Sequence, residues 1–426
     1  MVTLSPDSVS KDRRRNKSKT AGCRRFSMTG GWLEQGPLSL LHLALVAFDA
    51  LSRLPVVVVA LILTGLALLA GLGWQKVGDV IWNGWAAGGT YLTFVLLDWA
   101  LLWLLPRRNI SYGPVEPPLL ALAGLRWIVA LTGAALAAWI GLSPGLALGL
   151  LAALYAALSA LSVYGVVVEP FRLTVTEMTL SSSGLAADAP PVRLLQMGDL
   201  HIERLTRRER DLLAQVAALA PDVILLTGDY LNLSYVHDKR ALREAQKFLR
   251  QLDAPFGVYA VSGSPPVDPP AVVEKLFEGL DNVRLLRNEH VALDVHGQQL
   301  YVAGVVCSHD LAVDSGRLQA ALAGVPKEAF TLALYHSPDL MPEMVKAGVD
   351  LYLAGHTHGG QIRLPLYGAV LTSSVYGKRY EMGHYREENT HLYVARGVGM
   401  EGMGAPRARF LCPPEIVLWT LGNNEE

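Results

Sequence analysis

Six side chains in the second half of the sequence have the types and spacing of a cation site. Asp199 and His201 stand two apart in GDLH, Asp229 closes TGD, His336 sits in LYHSPD, and His356 and His358 stand two apart in GHTHGG. Each follows a short apolar run of strand character. Residues i and i+2 of an extended chain point to the same side, so each spaced pair can approach one ion. Carboxylate and imidazole without thiolate suit hard to borderline cations such as Mn²⁺, Fe or Zn²⁺. Two such cations bridged by one carboxylate make hydroxide from water near neutral pH and clamp a phosphoryl oxygen. Taken singly, each residue has an ordinary explanation as a turn-forming Asp or a hydrogen-bonded His. Four ordered segments that all end an apolar run are not explained that way.

These residues need strands that end together. From Val192 onward, apolar runs alternate with helical stretches: VRLLQMGDLH, a helix over 207–220, PDVILLTGDY, a helix over 239–252, FGVYAVSGS, and a helix over 271–279. Such alternation builds an α/β layered fold. Loops at the carboxyl ends of its strands share one crevice, which makes distant residues neighbours. The later strands come with fewer helices, so a mixed sandwich is expected rather than one doubly wound sheet.

The ordered motifs GDLH, TGDY and GHTHGG resemble those of the calcineurin-like metallophosphoesterases. The GHTHGGQ form behind an apolar N-terminal region resembles their bacterial membrane-associated branch, over roughly residues 192–421. The resemblance implies two mixed sheets flanked by helices, with two divalent metal ions (Mn, Fe or Zn). Asp199, His201 and His358 would bind the first metal, Asp229 would bridge both, and His336 and His356 would bind the second. It also implies cleavage of a phosphodiester or pyrophosphate bond by a metal-bridging hydroxide on a phosphorylated small-molecule substrate; a lipid-linked substrate is expected only from the apolar N-terminal region acting as a membrane tether. One segment departs from the pattern. Where the family has Gly-Asn-His and an acidic residue, this chain has Gly263, Ser264 and Pro265. Ser264 offers only a neutral hydroxyl to the second metal, and proline offers nothing to a proton transfer. No catalytic acid is therefore certain, and His309 in VCSHDL is the substitute candidate. The alternative is an impaired domain that binds a phosphorylated ligand as a regulatory module.

Composition adds a membrane. Of 426 residues 51% are hydrophobic, and the mean hydropathy is +0.29. A net charge of -1 gives no reason to expect nucleic acid as a partner. Three dispersed cysteines make no CxxC pair. Four transmembrane helices are expected at about 55–74, 85–105, 119–142 and 144–168, each near the roughly 20 residues that cross a bilayer. Residues 38–51 suit an interfacial helix, making 37–168 a membrane region behind a basic arm over 1–36. Residues 169–191 form a linker and first strand, 192–421 the phosphoesterase domain, and 422–426 a tail. The basic arm and the pair Arg107 and Arg108 belong on the cytoplasmic side. An even number of spans then makes a multi-pass cell-membrane protein with a cytoplasmic catalytic domain. Asp98 and Arg126, inside spans, fall at similar depth and are expected to pair.

Overall fold

The computed structural model describes residues 51–78, 80–401 and 407–423. The basic arm and nearly all of the expected interfacial helix lie outside the described residues. Among the described residues, four helices long and apolar enough to cross a membrane come first: α1 (Val56–Trp74), α2 (Ile81–Leu104), α3 (Glu116–Ile140) and α4 (Pro144–Val163). Pro117 and Pro144 lie in the first turns of α3 and α4, where a missing N–H costs nothing. The large side chains Leu61, Leu72, Trp85 and Trp139 point outward, whereas Val59, Leu63, Tyr91, Val95 and Tyr155 pack inward. α1 and α2 meet backbone to backbone: a Cβ added at Gly71 would fall 2.8 Å from the Gly84 carbonyl oxygen. Small residues permit that approach.

One buried ion pair ties three of these helices. Arg126 on α3 donates through Nε and Nη2 to both Asp98 oxygens on α2, at 2.7 and 2.9 Å. It also reaches the Tyr155 carbonyl and Ser159 hydroxyl on α4. Every polar group of the pair is thus satisfied within the bundle, as an apolar surrounding demands.

Two six-stranded sheets follow. The first has the order β1 (Thr174–Ser181), β14 (Glu415–Gly422), β2 (Val192–Met197), β3 (Val223–Leu226), β4 (Val258–Ala260) and β5 (Val283–Leu285). The second has the order β12 (Gly383–Glu387), β13 (Thr390–Val394), β9 (Leu351–Ala354), β8 (Phe330–Leu334), β7 (Gln298–Gly304) and β6 (Glu289–Val295). Both are mixed: β14 runs antiparallel to β2, and β6 and β12 run antiparallel to their neighbours. A small hairpin, β10 (Arg363–Leu364) and β11 (Gly368–Ala369), stands apart.

Period-two alternation assigns each residue to a layer. Val223 and Leu225 of β3 join Leu332 and Leu351 of the other sheet in the core between them. Ile224 and Leu226 face the opposite way, against α5 (Arg207–Leu219), α6 (Lys239–Leu249) and α7 (Pro270–Phe277). α8 (Leu311–Leu322) and α9 (Met341–Ala347) cover the outer face of the second sheet, over Ala333, Tyr352 and Ala354. β1, in the stretch read from sequence as a linker and first strand, pairs in parallel with β14 across eight residues. The helical bundle is bonded to the sandwich: Arg409 N–H donates to the Gly165 carbonyl at 2.9 Å, and Tyr112 N–H to Glu203 at 2.7 Å.

Candidate metal centre

Strands β2, β3 and β4 are parallel neighbours, as are β7, β8, β9 and β13, so their carboxyl ends share an edge within each sheet. All six predicted ligand residues leave from these ends. Asp199 and His201 follow β2, Asp229 follows β3, His336 follows β8, and His356 and His358 follow β9. The loops are stitched to one another. Asp199 N–H donates to the Gly228 carbonyl at 2.9 Å, His201 N–H to the Asp229 carbonyl at 3.1 Å, and Gly355 N–H to the His336 carbonyl at 2.8 Å. Backbone strain concentrates here. Asp199, His201, Asp229, His309, His356 and His358 all have φ between +42° and +72°. Non-glycine residues rarely adopt that region, and its clustering is a mark of functional sites.

The side chains form two adjoining groups with ligand atoms close enough to share an ion. Asp199, His201 and His358 make one, and Asp229, His336 and His356 the other. Asp229 lies between them: its Oδ2 is 3.7 Å from His201 Nε2 and 3.3 Å from His336 Nε2. The Nε2 atoms of His201 and His358 approach to 2.9 Å, and His358 Nε2 is 3.9 Å from Asp199 Oδ1. Sequence reasoning missed Glu401, whose Oε2 lies 3.9 Å from His201 Nε2 and 4.0 Å from His358 Nε2. Its glycine-rich loop after β13 carries no strand pattern to flag it.

The donor set fits a cation. His336 Nδ1 is 2.8 Å from the Thr227 carbonyl, to which it can only donate. Its Nε2 then turns toward the Asp229 carboxylate, where lone pair faces lone pair unless a proton or a cation lies between. His336 Nε2, His201 Nδ1 and His358 Nδ1 are buried and have no hydrogen-bond partner. Electrostatics agree. Burial favours neutral His336, but the Asp229 and Asp199 charges overcome it and raise its pKa to about 10. Burial works against the Asp229 charge too, yet His336 and His201 hold this carboxyl well below the usual range. Burial, and then the neighbouring histidines, hold His356 and His358 neutral with lone pairs available. Burial raises Asp199 to about 6, with His336 opposing and Asp229 adding.

Two further residues shape the pocket. Asp268, also missed from sequence, accepts from the backbone N–H groups of Asp229, Tyr230 and Gly263 at 2.9, 3.2 and 2.8 Å, fixing the TGDY loop against VSGS. Burial and the nearby Asp229 charge raise it to about 7. Ser264 N–H donates to Asp229 Oδ1 at 2.7 Å. Its hydroxyl lies 3.2 Å from His356 Nδ1 and 3.1 Å from His309 Nε2. His309 therefore enters the site from the loop after β7, which Asp314 organises by accepting from the N–H groups of Ser308 and His309. Burial lowers His309 to about 4, with His336 adding to the effect, so at neutral pH its ring is uncharged.

Known proteins are similar to this chain. YkuE of Bacillus subtilis, a metallophosphoesterase, is 32% identical over 266 residues, which span 61% of this chain and 88% of YkuE. The chain belongs to the metallophosphoesterase family. Two further relatives are named for activities of their own. The phosphodiesterase YaeI of Escherichia coli is 30% identical over 55% of this chain and 83% of its own. The UDP-2,3-diacylglucosamine pyrophosphatase LpxG of Chlamydia trachomatis is 27% identical over 59% and 89%. No family model matches the chain.

Proposed function

We propose that this metallophosphoesterase is a membrane-anchored dinuclear-metal hydrolase of phosphodiester or pyrophosphate bonds. The observation that carries the reading is Asp229, whose carboxylate stands between two separate groups of ligand atoms. Asp199, His201 and His358 would hold one ion, His336 and His356 the other, and Asp229 both. Divalent ions there would supply Lewis acidity toward a phosphoryl oxygen and a lowered pKa for bound water.

The chain's own residues position that chemistry. The Ser264 N–H fixes one Asp229 oxygen and leaves the other turned toward the histidines. His336 Nδ1, donating to Thr227, orients Nε2 inward, a supporting contact common for metal-bound imidazole. Ser264 adds one hydroxyl beside His356. His309 stands where a leaving-group oxygen could accept its N–H, taking the place that Pro265 cannot fill. As a neutral ring it stabilises the departing oxygen by a hydrogen bond, which suits leaving groups that need little protonation.

The four helices support anchoring by length and composition. Arg107 and Arg108 lie at the bundle end that also carries Tyr112, bonded to the sandwich through Glu203. The catalytic side is therefore the side that basic loops favour, the cytoplasm. Metal analysis of the purified full chain together with turnover of bis(p-nitrophenyl) phosphate in Mn²⁺ tests the reading. Two ions per chain and measurable turnover are expected. No turnover by the wild type, with turnover gained by Ser264→Asn plus Pro265→His, overturns it and leaves a phospho-ligand binding module.

A further inference from the structure

A cavity of about 450 Å³ lies where the helical bundle meets the sandwich. Its walls come from the domain-side ends of α2, α3 and α4, through residues such as Leu105, Leu122, Leu158 and Val166. Its roof comes from Ile362 and Phe410 of the sandwich. Among its described lining residues only Ser111, Ser162 and Arg407 carry polar side chains, and the Ser162 hydroxyl donates back into its own helix at 2.8 Å. Water gains little there, and an apolar ligand gains the surface that it buries.

Three observations say what fits. First, the cavity reaches the outer surface of the bundle: the wall residues Leu125 and Leu161 are 44% and 49% exposed, on helices with the length and composition of membrane spans. Second, Leu364, at its rim, ends β10, and the hairpin turn and the residues just past β11 expose Leu366, Tyr367, Val370 and Leu371. Lys378 lies 3.2 Å from the centre of the Tyr367 ring, so apolar, aromatic and basic groups meet as they do at a membrane surface. Third, the roof is built from segments that run out of the metal centre. Ile362 is four residues past His358, and the Gln361 side chain accepts from Glu401 N–H at 2.9 Å. Arg407 pairs with Glu203, two residues past His201, and with Asn232, three residues past Asp229.

We propose that this cavity is the subsite for an acyl chain of a lipid-linked phosphoester substrate. The chain enters sideways from the bilayer between α3 and α4, while the headgroup phosphorus lies at the metal centre. The inference rests on the phosphohydrolase reading for its chemistry but not for its binding. Hydrolysis adds water across one P–O bond, and the acyl chain takes no part in the step.

Two phosphodiesters with the same leaving group isolate the subsite: p-nitrophenyl hexadecyl phosphate and p-nitrophenyl methyl phosphate, in mixed micelles with Mn²⁺. The hexadecyl ester should be hydrolysed at least tenfold more efficiently, since each buried methylene is worth roughly fourfold. Leu122→Trp, which fills the cavity, should remove that preference and leave the methyl ester unchanged. Ala121→Phe, at an exposed lining position, should do the same with less demand on folding. A photoreactive hexadecyl phosphate, added to metal-free protein, should label residues 118–125 and 158–166 in the wild type and not in the variants. If neither ester is cleaved but this labelling holds, the subsite stands and the hydrolase reading falls. Equal rates for the two esters, or labelling that ignores both variants, overturn the subsite. So does equal labelling by a phosphatidylcholine probe without any chain preference in turnover, which would mark a structural lipid. Labelling that appears only after residues 1–50 are deleted also overturns it, because the chain would then fill the cavity itself.

Discussion

Replacing His309 separates two ways of helping a leaving group depart. Its Nε2 is 3.1 Å from the Ser264 hydroxyl, and its ring centre is 4.6 Å from that of His356, so it borders the space where a substrate would meet the second ligand group. A protonated general acid contributes about 10² to 10⁴ in rate. Burial, however, holds His309 near 4, so at neutral pH only a neutral N–H is on offer. A hydrogen bond to a charged oxygen contributes about 1.5 to 3 kcal/mol, which is roughly ten- to 150-fold in rate. His309→Ala should therefore slow methyl phenyl phosphate, whose leaving phenol has a pKa of about 10, by that lower range. The more acidic p-nitrophenyl ester should lose less than about tenfold, because its oxygen needs less stabilisation. His309→Gln keeps an N–H donor and should recover part of the loss. The group is already neutral above its low pKa, so kcat/KM for the wild type should show no inflection from it between about pH 5 and 8. Steady-state kinetics on the two esters decide the matter. Equal losses on both esters, or a loss beyond about 10³ tied to an inflection near pH 6, would refute a neutral donor.

Asp98→Ala leaves the Arg126 guanidinium buried without its carboxylate and should lower stability by about 3 to 5 kcal/mol in detergent melts. Asp98→Leu with Arg126→Met should recover most of that loss; failure to recover would point to a role beyond packing. Asp268 is raised to about 7 from an unfolded value near 3.8. Its contribution to the stability of metal-stripped protein is thus complete below about pH 4 and lost as pH rises through about 7. Asp268→Asn should flatten the fall in melting temperature between pH 4 and 7, and an unchanged slope would contradict the assignment. Gly355→Ala would put a Cβ 2.5 Å from Asp199 Oδ2, so either the loop or the carboxylate must move. Metal content should drop below that of the wild type, and activity should fall on the order of a hundredfold, the cost of roughly 1 Å of misplacement.

The elements that announce themselves by period were legible in the sequence. β3 and β8 read as strands because their apolar runs are short and bounded, and α5 as the helical stretch between two such runs, to which the structure adds a Thr206–Glu209 capping box. Asp199, Asp229 and His336 could be singled out because each sits just past such a run. What escaped depends on contacts that spacing does not encode. β1 joins a sheet by pairing with β14, some 240 residues away, so its local sequence suggests a strand but not a partner. Asp268 precedes Pro269 and reads as a helix cap, yet it makes no cap for α7 and accepts from two N–H groups of the TGDY loop and one of its own loop. Glu401 and the apolar hairpin lie in irregular chain, where only the assembled fold brings side chains together.

The same irregular chain joins the metal centre to the bundle. Arg409 is fully buried and donates to the carbonyls of Arg396, Gly397 and Gly399, bracing the loop that carries Glu401 toward His201 and His358. Burial lowers its pKa to about 10, still high enough for it to be charged at neutral pH. A buried cation would be costly alone, but here carbonyl oxygens satisfy its guanidinium. Its backbone N–H meanwhile bonds to Gly165, in the π-helical turn that continues α4. Three residues on, the Cys412 N–H donates to Glu169, and the Cys412 thiol lies 3.1 Å from the His358 carbonyl. A shift of α4 therefore cannot leave the His358 loop in place without breaking buried polar bonds, each of which costs about 1 to 3 kcal/mol when left unmade. On the proposed membrane-anchored reading, the helices would set the height and tilt at which the candidate ligand residues face the bilayer, and so the position of a bound phosphoryl group.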